Sequence, residues 1–191
     1  EDARGRKLVV LAHCILNQNA KLDRCAHCQG AVVELVHVLL ENGIGILQME
    51  CPEMLYLGLD RQTDHAVNLS VASEDTRIAR RMKESAAQAL VTRIAHDIVK
   101  QISDYQSHGF SVIGVLGING SPSCGVETTW RDDCEPAGYG ELTQAIASQL
   151  KLCGVRVPIR GIRSKDVAHA VETVREVVAG LVRITPESRQ A

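Results

Sequence analysis

The chain has 191 residues, 45% hydrophobic and 23% charged, and carries a net charge of −2. That length suits one domain with a real core, and the charge excludes a basic footprint for tight nucleic-acid binding. Aromatic residues, at 3%, are too few for a base-stacking platform, so RNA as a bulk partner is disfavoured. No apolar stretch approaches the ~20 residues that span a bilayer, and no signal-peptide pattern opens the sequence. The expectation is a cytoplasmic protein without a membrane partner. Seven cysteines, an odd number that includes a closely spaced pair, point to metal or thiol chemistry rather than a disulfide framework.

Residues 7–13 read as the first strand. The polar stretch Asn17-Gln18-Asn19-Ala20-Lys21-Leu22-Asp23 that follows is too long for a tight turn. A helix is expected from about 29 to 42, with Val32, Leu35, Val36 and Leu39 on its apolar face and Asn42-Gly43 ending it. Residues 44–49 make a second strand. A long loop then runs from Cys51 to about Ala72, and loops of that length inside compact domains are usually functional. Ser73-Glu74-Asp75 opens the longest helix, its acidic residues suiting the N-terminal dipole. Apolar positions at 78, 82, 86, 90, 94, 98, 102 and 105 carry that helix to His108-Gly109. Its Arg77, Arg80, Arg81 and Lys83 read as a solvated face with i,i+4 partners rather than a nucleic-acid stripe.

The run from Val112 to Ile118 is short, β-branched and uncharged, as a buried parallel strand should be. Asn119-Gly120 and Ser121-Pro122 break it, so Cys124 is expected in a tight loop just past its C-terminal end. Residues Trp130 to Pro136 look irregular. Glu141 to Leu152 reads as a helix closed by Gly154, and Val155 to Ile159 as a fourth strand whose Pro158 suits an edge. Ser164 is expected to cap a last helix with Val167, Val171, Val174, Val178 and Leu181 inside. The ends, about 1–5 and 186–191, are expected to fray. The alternation predicts a single α/β domain over 1–191. It is a parallel sheet of about four strands with helices on both faces, a Rossmann-like three-layer sandwich. No G-x-G-x-x-G fingerprint is present, and Asn119 to Gly125 lacks the Lys-Ser/Thr of a phosphate-binding loop. A dinucleotide or nucleoside triphosphate is therefore not indicated.

Cys14, Cys51 and Cys124 each follow one of these strands, at the edge where open α/β sheets bind ligands. A lone buried cysteine usually serves as a small hydrophobe; three at equivalent positions are harder to read that way. Their separations in sequence are large, so the sheet must assemble them. Three converging thiolates would repel without a cation. Structural zinc usually takes four protein ligands, whereas three cysteines with one position open suit a catalytic metal or a 4Fe–4S cluster with one iron free.

Three blocks carry a more specific signal: Ala12-His13-Cys14-Ile15-Leu16-Asn17; Cys51-Pro52-Glu53 followed by Gly58-Leu59 and Arg61; and Ser121-Pro122-Ser123-Cys124-Gly125. In this order and spacing they resemble the signature blocks of the thiouracil desulfidase family. The resemblance runs from the first strand to Gly138-Tyr139-Gly140, about three quarters of the chain. It implies a 4Fe–4S cluster held by Cys14, Cys51 and Cys124, a free iron that takes a thiocarbonyl sulfur, and active-site residues matching Glu53 and Ser121. Asp60-Arg61 stands where relatives often have Thr-Pro-Arg, Ala12 where they tend to have Ser, and Cys25-Ala26-His27-Cys28 is an addition. These departures mark a side branch and bear on the substrate more than on the cluster.

The implied activity is a hydrolytic, non-redox removal of sulfur, as sulfide, from a thiolated pyrimidine of the 2-thiouracil or 4-thiouracil type. The substrate would be a base or nucleoside, with a base in tRNA not favoured. A soft iron prefers sulfur and, by withdrawing electrons, opens the ring carbon to water. Glu53 then suits a general base, its plainer role being an ion pair with Arg61. Ser121 suits a hydrogen bond to the ring or a proton relay, its plainer role being turn formation. Asn17, Asn119 and Ser123 are candidate substrate contacts, with Ser123 also able to orient the loop. His13 reads as a satisfied neighbour of a ligand. Two rival readings remain: a cluster or zinc module that senses sulfur without turnover, and a thiol oxidoreductase built on Cys25 and Cys28. Cys153 reads as packing, Cys134 as an exposed thiol, and Trp130 as either a pocket wall or a cover for the sheet.

Overall fold

The computed structural model describes residues 2–64, 66, 67 and 69–180, and among these it contains four strands and seven α-helices. β1 (Lys7–Leu11) is followed by a one-turn helix α1 (His13–Leu16), a 3-10 turn (Gln18–Ala20) and α2 (Val33–Glu41). β2 (Gly45–Gln48) leads to α3 (Pro52–Leu57), α4 (Val71–Arg81) and α5 (Ser85–Ser107). β3 (Ser111–Ile118) leads to α6 (Glu141–Leu152), and β4 (Ile159–Ile162) to α7 (Val167–Val178).

Every pairing is parallel and the sheet order is β2-β1-β3-β4, the expected α/β architecture. β1 and β3 take the centre, where Val9, Val10, Leu11 and Leu116 are fully buried. Strands covered on both faces need such unbroken apolar runs. The chain leaves β1 toward one edge and later crosses back toward the other. With right-handed crossovers, α2 therefore lies on the opposite face from α5 and α6. α2 packs with α7, and α5 with α6. None of the described helices is long and apolar enough to cross a membrane.

α2 begins at Val33 rather than near residue 29, and four further departures from the expected elements each have a local cause. The helix expected from 73 to 107 is two helices. α4 is capped by Ser70, whose side chain accepts from Ser73 N–H at 3.1 Å, and Glu84 takes an extended conformation before α5. Apolar positions spaced by four residues overshoot one turn by about 40° per step. A single straight helix would therefore carry that stripe around its axis. The break resets it: Ile78 and Met82 are buried before it, and Val91, Ile94, Ala95, Ile98 and Ile102 after it at spacings of three and four. The basic cluster here forms ion pairs, Arg77 with Glu74 and Arg81 with Glu84 at 2.6 Å each and Arg80 with Asp133 at 3.8 Å, none of them i,i+4.

The segment 51–72 is not one loop, since it holds α3. Cys51 Sγ accepts from Met54 N–H at its start, and Pro52 takes the first position, where its missing N–H costs nothing. β4 begins after Pro158 rather than before it. The proline gives the sheet only its carbonyl, which accepts from Val115 N–H at 2.8 Å. The cap of α7 is Asp166, which accepts from His169 N–H at 3.1 Å, while Ser164 is buried and accepts from Lys21 Nζ at 2.8 Å. The buried positions of α7 are Ala170, Thr173, Val174 and Val177. Leu181 and the tail 186–191 lie outside the described residues. Cys153 is exposed at the end of α6 and does not pack.

Candidate functional site

Cys14 lies three residues beyond β1, Cys51 three beyond β2 and Cys124 six beyond β3. Because β2, β1 and β3 are neighbours, all three cysteines leave the same edge of the sheet. They line one cavity of about 360 Å³, and none is in a disulfide. The ladder continues a step past the strands: Ala12 N–H donates to Leu116 O and Met49 N–H to Leu11 O, each at 2.8 Å. Gln18, fully buried, donates from Nε2 to Cys14 O at 2.6 Å and accepts from His27 N–H at 3.1 Å. It thereby ties the Cys25–Cys28 loop to the turn carrying Cys14.

The Cys124 loop folds back onto its own strand. Ile118 N–H donates to Cys124 O at 2.8 Å, and Ser121 Oγ accepts from Ser123 N–H at 3.2 Å and Cys124 N–H at 3.0 Å. This contact needs glycine at 117, where a Cβ would stand 2.3 Å from Cys124 O. Gly125 is held likewise, since a Cβ there would stand 2.4 Å from Thr128 O.

Glu53 and Ser121 meet in this cavity, Ser121 Oγ donating to Glu53 Oε1 at 3.4 Å. Arg61 Nε stands 3.7 Å from Glu53 Oε2, so the ion pair read as Glu53's plainer role coexists with its place in the cavity wall. Arg61 is 1% exposed and adopts a φ of 58°, uncommon for a residue with a side chain. Its guanidinium donates to the carbonyls of Gly58, Leu59 and Ala20 and, at 3.8 Å, to Cys51 Sγ.

Burial pushes the Cys14 thiol up to about 11 and that of Cys51 up to about 12. Cys124 is raised well above its ordinary value by burial, and then by Cys51, Cys14 and Glu53. These thiols sense one another's charge, and a positive centre would be needed to ionise all three near neutral pH. Asp75, on α4, also lines the cavity; burial and then the charge of Glu53 raise it to about 7. Burial, then Lys21 and Lys165, lower His27, and burial raises Cys25.

Of the other sequence candidates, Asn119 lines the cavity but its side chain is engaged in the adjoining loop. It donates to Glu127 Oε2 at 2.7 Å and accepts from Glu127 N–H at 3.0 Å and Val126 N–H at 3.3 Å. Asn17 caps the 3-10 turn by accepting from Asn19 N–H at 3.2 Å. Ser123 is buried with its hydroxyl unpartnered. Neither Asn17 nor Ser123 lines the cavity. His13 does, with Nδ1 3.2 Å from Met49 O. Cys25 lines it too, whereas Cys28 packs against the core. Trp130 is a cavity wall, donating to Thr76 Oγ1 at 2.9 Å. Sequence reasoning missed Asp75, and with it the basic side formed by Lys21, Arg24, Arg163 and Lys165. Among the described residues, no three His, Cys, Asp or Glu side chains are placed to hold one metal ion together.

No protein-family model matches the chain, and no solved structure matches it. The uncharacterized protein MJ0003 of Methanocaldococcus jannaschii is 30% identical to it over 123 residues, which is 64% of this chain and 70% of that protein.

Proposed function

This chain belongs to the family of the archaeal protein MJ0003, and we propose that it is a desulfidase, an enzyme that hydrolyses the C=S bond of a thiolated pyrimidine and releases sulfide. The observation that carries this reading is the convergence of Cys14, Cys51 and Cys124 on one cavity beside Glu53 and Ser121. The donor set suits a 4Fe–4S cluster held by three cysteines. Burial and mutual repulsion oppose ionisation of the thiols, and a cationic centre reverses that cost. Cys14, Cys51 and Cys124 would be the residues that hold it. Such a cluster with one iron free would supply a soft Lewis acid suited to a thiocarbonyl sulfur.

Glu53 is the proton acceptor for the attacking water. Arg61, 3.7 Å away, orients its carboxylate. Ser121 Oγ accepts two backbone N–H groups and so aims its own proton at Glu53. It is placed to relay a proton between water and carboxylate. The reaction consumes one water for each C=S converted to C=O plus H₂S, with no net electron transfer. A cavity of about 360 Å³ lies at the small end of ligand pockets, which favours a base or nucleoside over a polynucleotide. Seven unpaired cysteines favour a reducing, cytoplasmic setting.

Purification without oxygen tests the proposal. The protein is expected to bind iron and inorganic sulfide and to convert 2-thiouracil or 4-thiouracil to uracil. Cys124→Ala should lose the cluster, and Glu53→Ala should keep it while losing turnover by 100-fold or more, roughly the scale of general-base catalysis. A colourless protein that takes up no iron on reconstitution ends the reading, and iron binding without turnover on either base favours a sulfur-sensing module.

A further inference from the structure

We infer that Asp75 contacts the substrate, its carboxyl group pairing with the lactam edge of the pyrimidine, meaning a ring N–H and the oxo or thioxo group beside it; this rests on the desulfidase reading. Asp75 enters the cavity from α4, an element that carries neither a cysteine of the trio nor Glu53. Its neighbours on that helix are engaged. Glu74 accepts from Thr63 Oγ1 at 3.0 Å and from Arg77, while Thr76 donates to Asp133 Oδ1 at 2.7 Å and accepts from Trp130 Nε1. The Asp75 carboxyl makes no hydrogen bond or ion pair among the described residues, although it is only partly exposed. A half-buried carboxyl turned into a cavity without a partner is a site awaiting one.

The charged and titratable groups around it come from every side: Glu53 of α3, Lys21 and Cys25 of the segment after β1, Glu135 of the loop after β3, and Glu74 beside it. Burial and then Glu53 raise its pKa to about 7, so the proton is retained below neutrality and lost above it. A protonated carboxyl presents an O–H donor next to a carbonyl acceptor, which complements the N–H and C=O of a lactam. Once ionised it can only accept, and it then faces the carbonyl oxygen or sulfur with a like partial charge. Asparagine reproduces the donor–acceptor pair without titrating.

Iron-loaded enzyme is assayed between about pH 6 and 8.5, reading KM for 4-thiouracil and competitive inhibition by uracil, which stays neutral in that range. Wild-type affinity for uracil is expected to fall about tenfold across the range, the scale of one lost hydrogen-bonded pair. Asp75→Asn should bind uracil equally well throughout. Asp75→Ala should bind uracil about tenfold more weakly than wild type at the acidic end. Wild-type affinity in the Ala variant, or an unchanged pH dependence in the Asn variant, overturns the assignment. The cluster absorbance and far-UV circular dichroism of both variants report folding, and the Asn variant carries the test if the Ala variant does not fold. If wild type turns over and the Asp75 variants match it, only this inference falls. If wild type neither binds nor converts any pyrimidine, the desulfidase reading falls with it.

Discussion

Glu53 and Asp75 face one cavity from consecutive helices, yet Glu53 sits 3.7 Å from a buried guanidinium and accepts from Ser121 at 3.4 Å, whereas Asp75 touches neither cation nor donor. On the α3 side Arg61 is anchored through its terminal nitrogens to three carbonyls, while its buried Nε makes no hydrogen bond and faces Glu53 across 3.7 Å. The α4 wall leaves its acid open, and burial together with the charge of Glu53 pushes that acid up to about 7. Two carboxyl groups in one cavity thus stand in different surroundings, one beside a guanidinium and a hydroxyl, the other without a hydrogen-bond partner among the described residues.

Removing the cation from the first wall should have the largest effect. Arg61→Met leaves Glu53 without its ion-pair partner and strips donors from the carbonyls of Gly58, Leu59 and Ala20. Breaking a buried pair from one side costs roughly 3–5 kcal/mol, or a melting temperature lower by about 10 °C in a chain of this size. A loss under about 1 kcal/mol by chemical denaturation would mean that the α3 wall stands without its arginine.

Ser121→Ala tests the link between that wall and the Cys124 loop. Two N–H groups lose their acceptor and Glu53 loses a donor. The expected cost is about 1 kcal/mol of stability and roughly tenfold in kcat, with iron content unchanged. Loss of iron along with activity would assign Ser121 to loop structure alone.

The smallest effect sharpens the second wall. Asp75 has a folded-state pKa of about 7, above its ordinary value of 3.8, so the folded protein holds this proton more tightly than the unfolded chain. The associated stability is present in acid, is lost as pH rises from about 4 toward 7, and stays lost above that. Asp75→Asn should therefore melt a few degrees above wild type at about pH 8, with the difference vanishing near pH 4. Equal melting temperatures at both would show that the acid on α4 is not strained by its surroundings.

Much of the framework was legible because its signals are local. The uncharged run ending at Ile118, the Asn119-Gly120 break, and Glu141 to Leu152 with Gly154 behind it all stand where composition and turn chemistry put them. The gathering of the three cysteines followed from strand ends alone. Other features depend on contacts between distant segments. α3 is six residues long and capped by a thiol, so no periodicity announces it. Arg61 is marked in sequence as part of the block that follows Cys51 and as a candidate partner for Glu53, but not as a buried residue. Its burial comes from carbonyls as distant as Ala20. Asp75 reads as an ordinary first-turn acid, and only the packing of α4 beside Glu53 and Lys21 gives it another character. Asn119 was legible as a break in the strand. That its amide would organise residues 126 and 127 was not, because that loop returns to β4, where Gly161 makes room for the asparagine oxygen.

The carbonyl of Cys124 is stitched to the last rung of β3 over a glycine that leaves no space for anything larger. The floor of the cavity therefore belongs to the sheet as a rigid body, while its ceiling is made of outer loops and short helices. The spacing at the bottom is thereby fixed by the backbone of β3 and not by the outer pieces. Even one added methyl at position 117 would be felt there first.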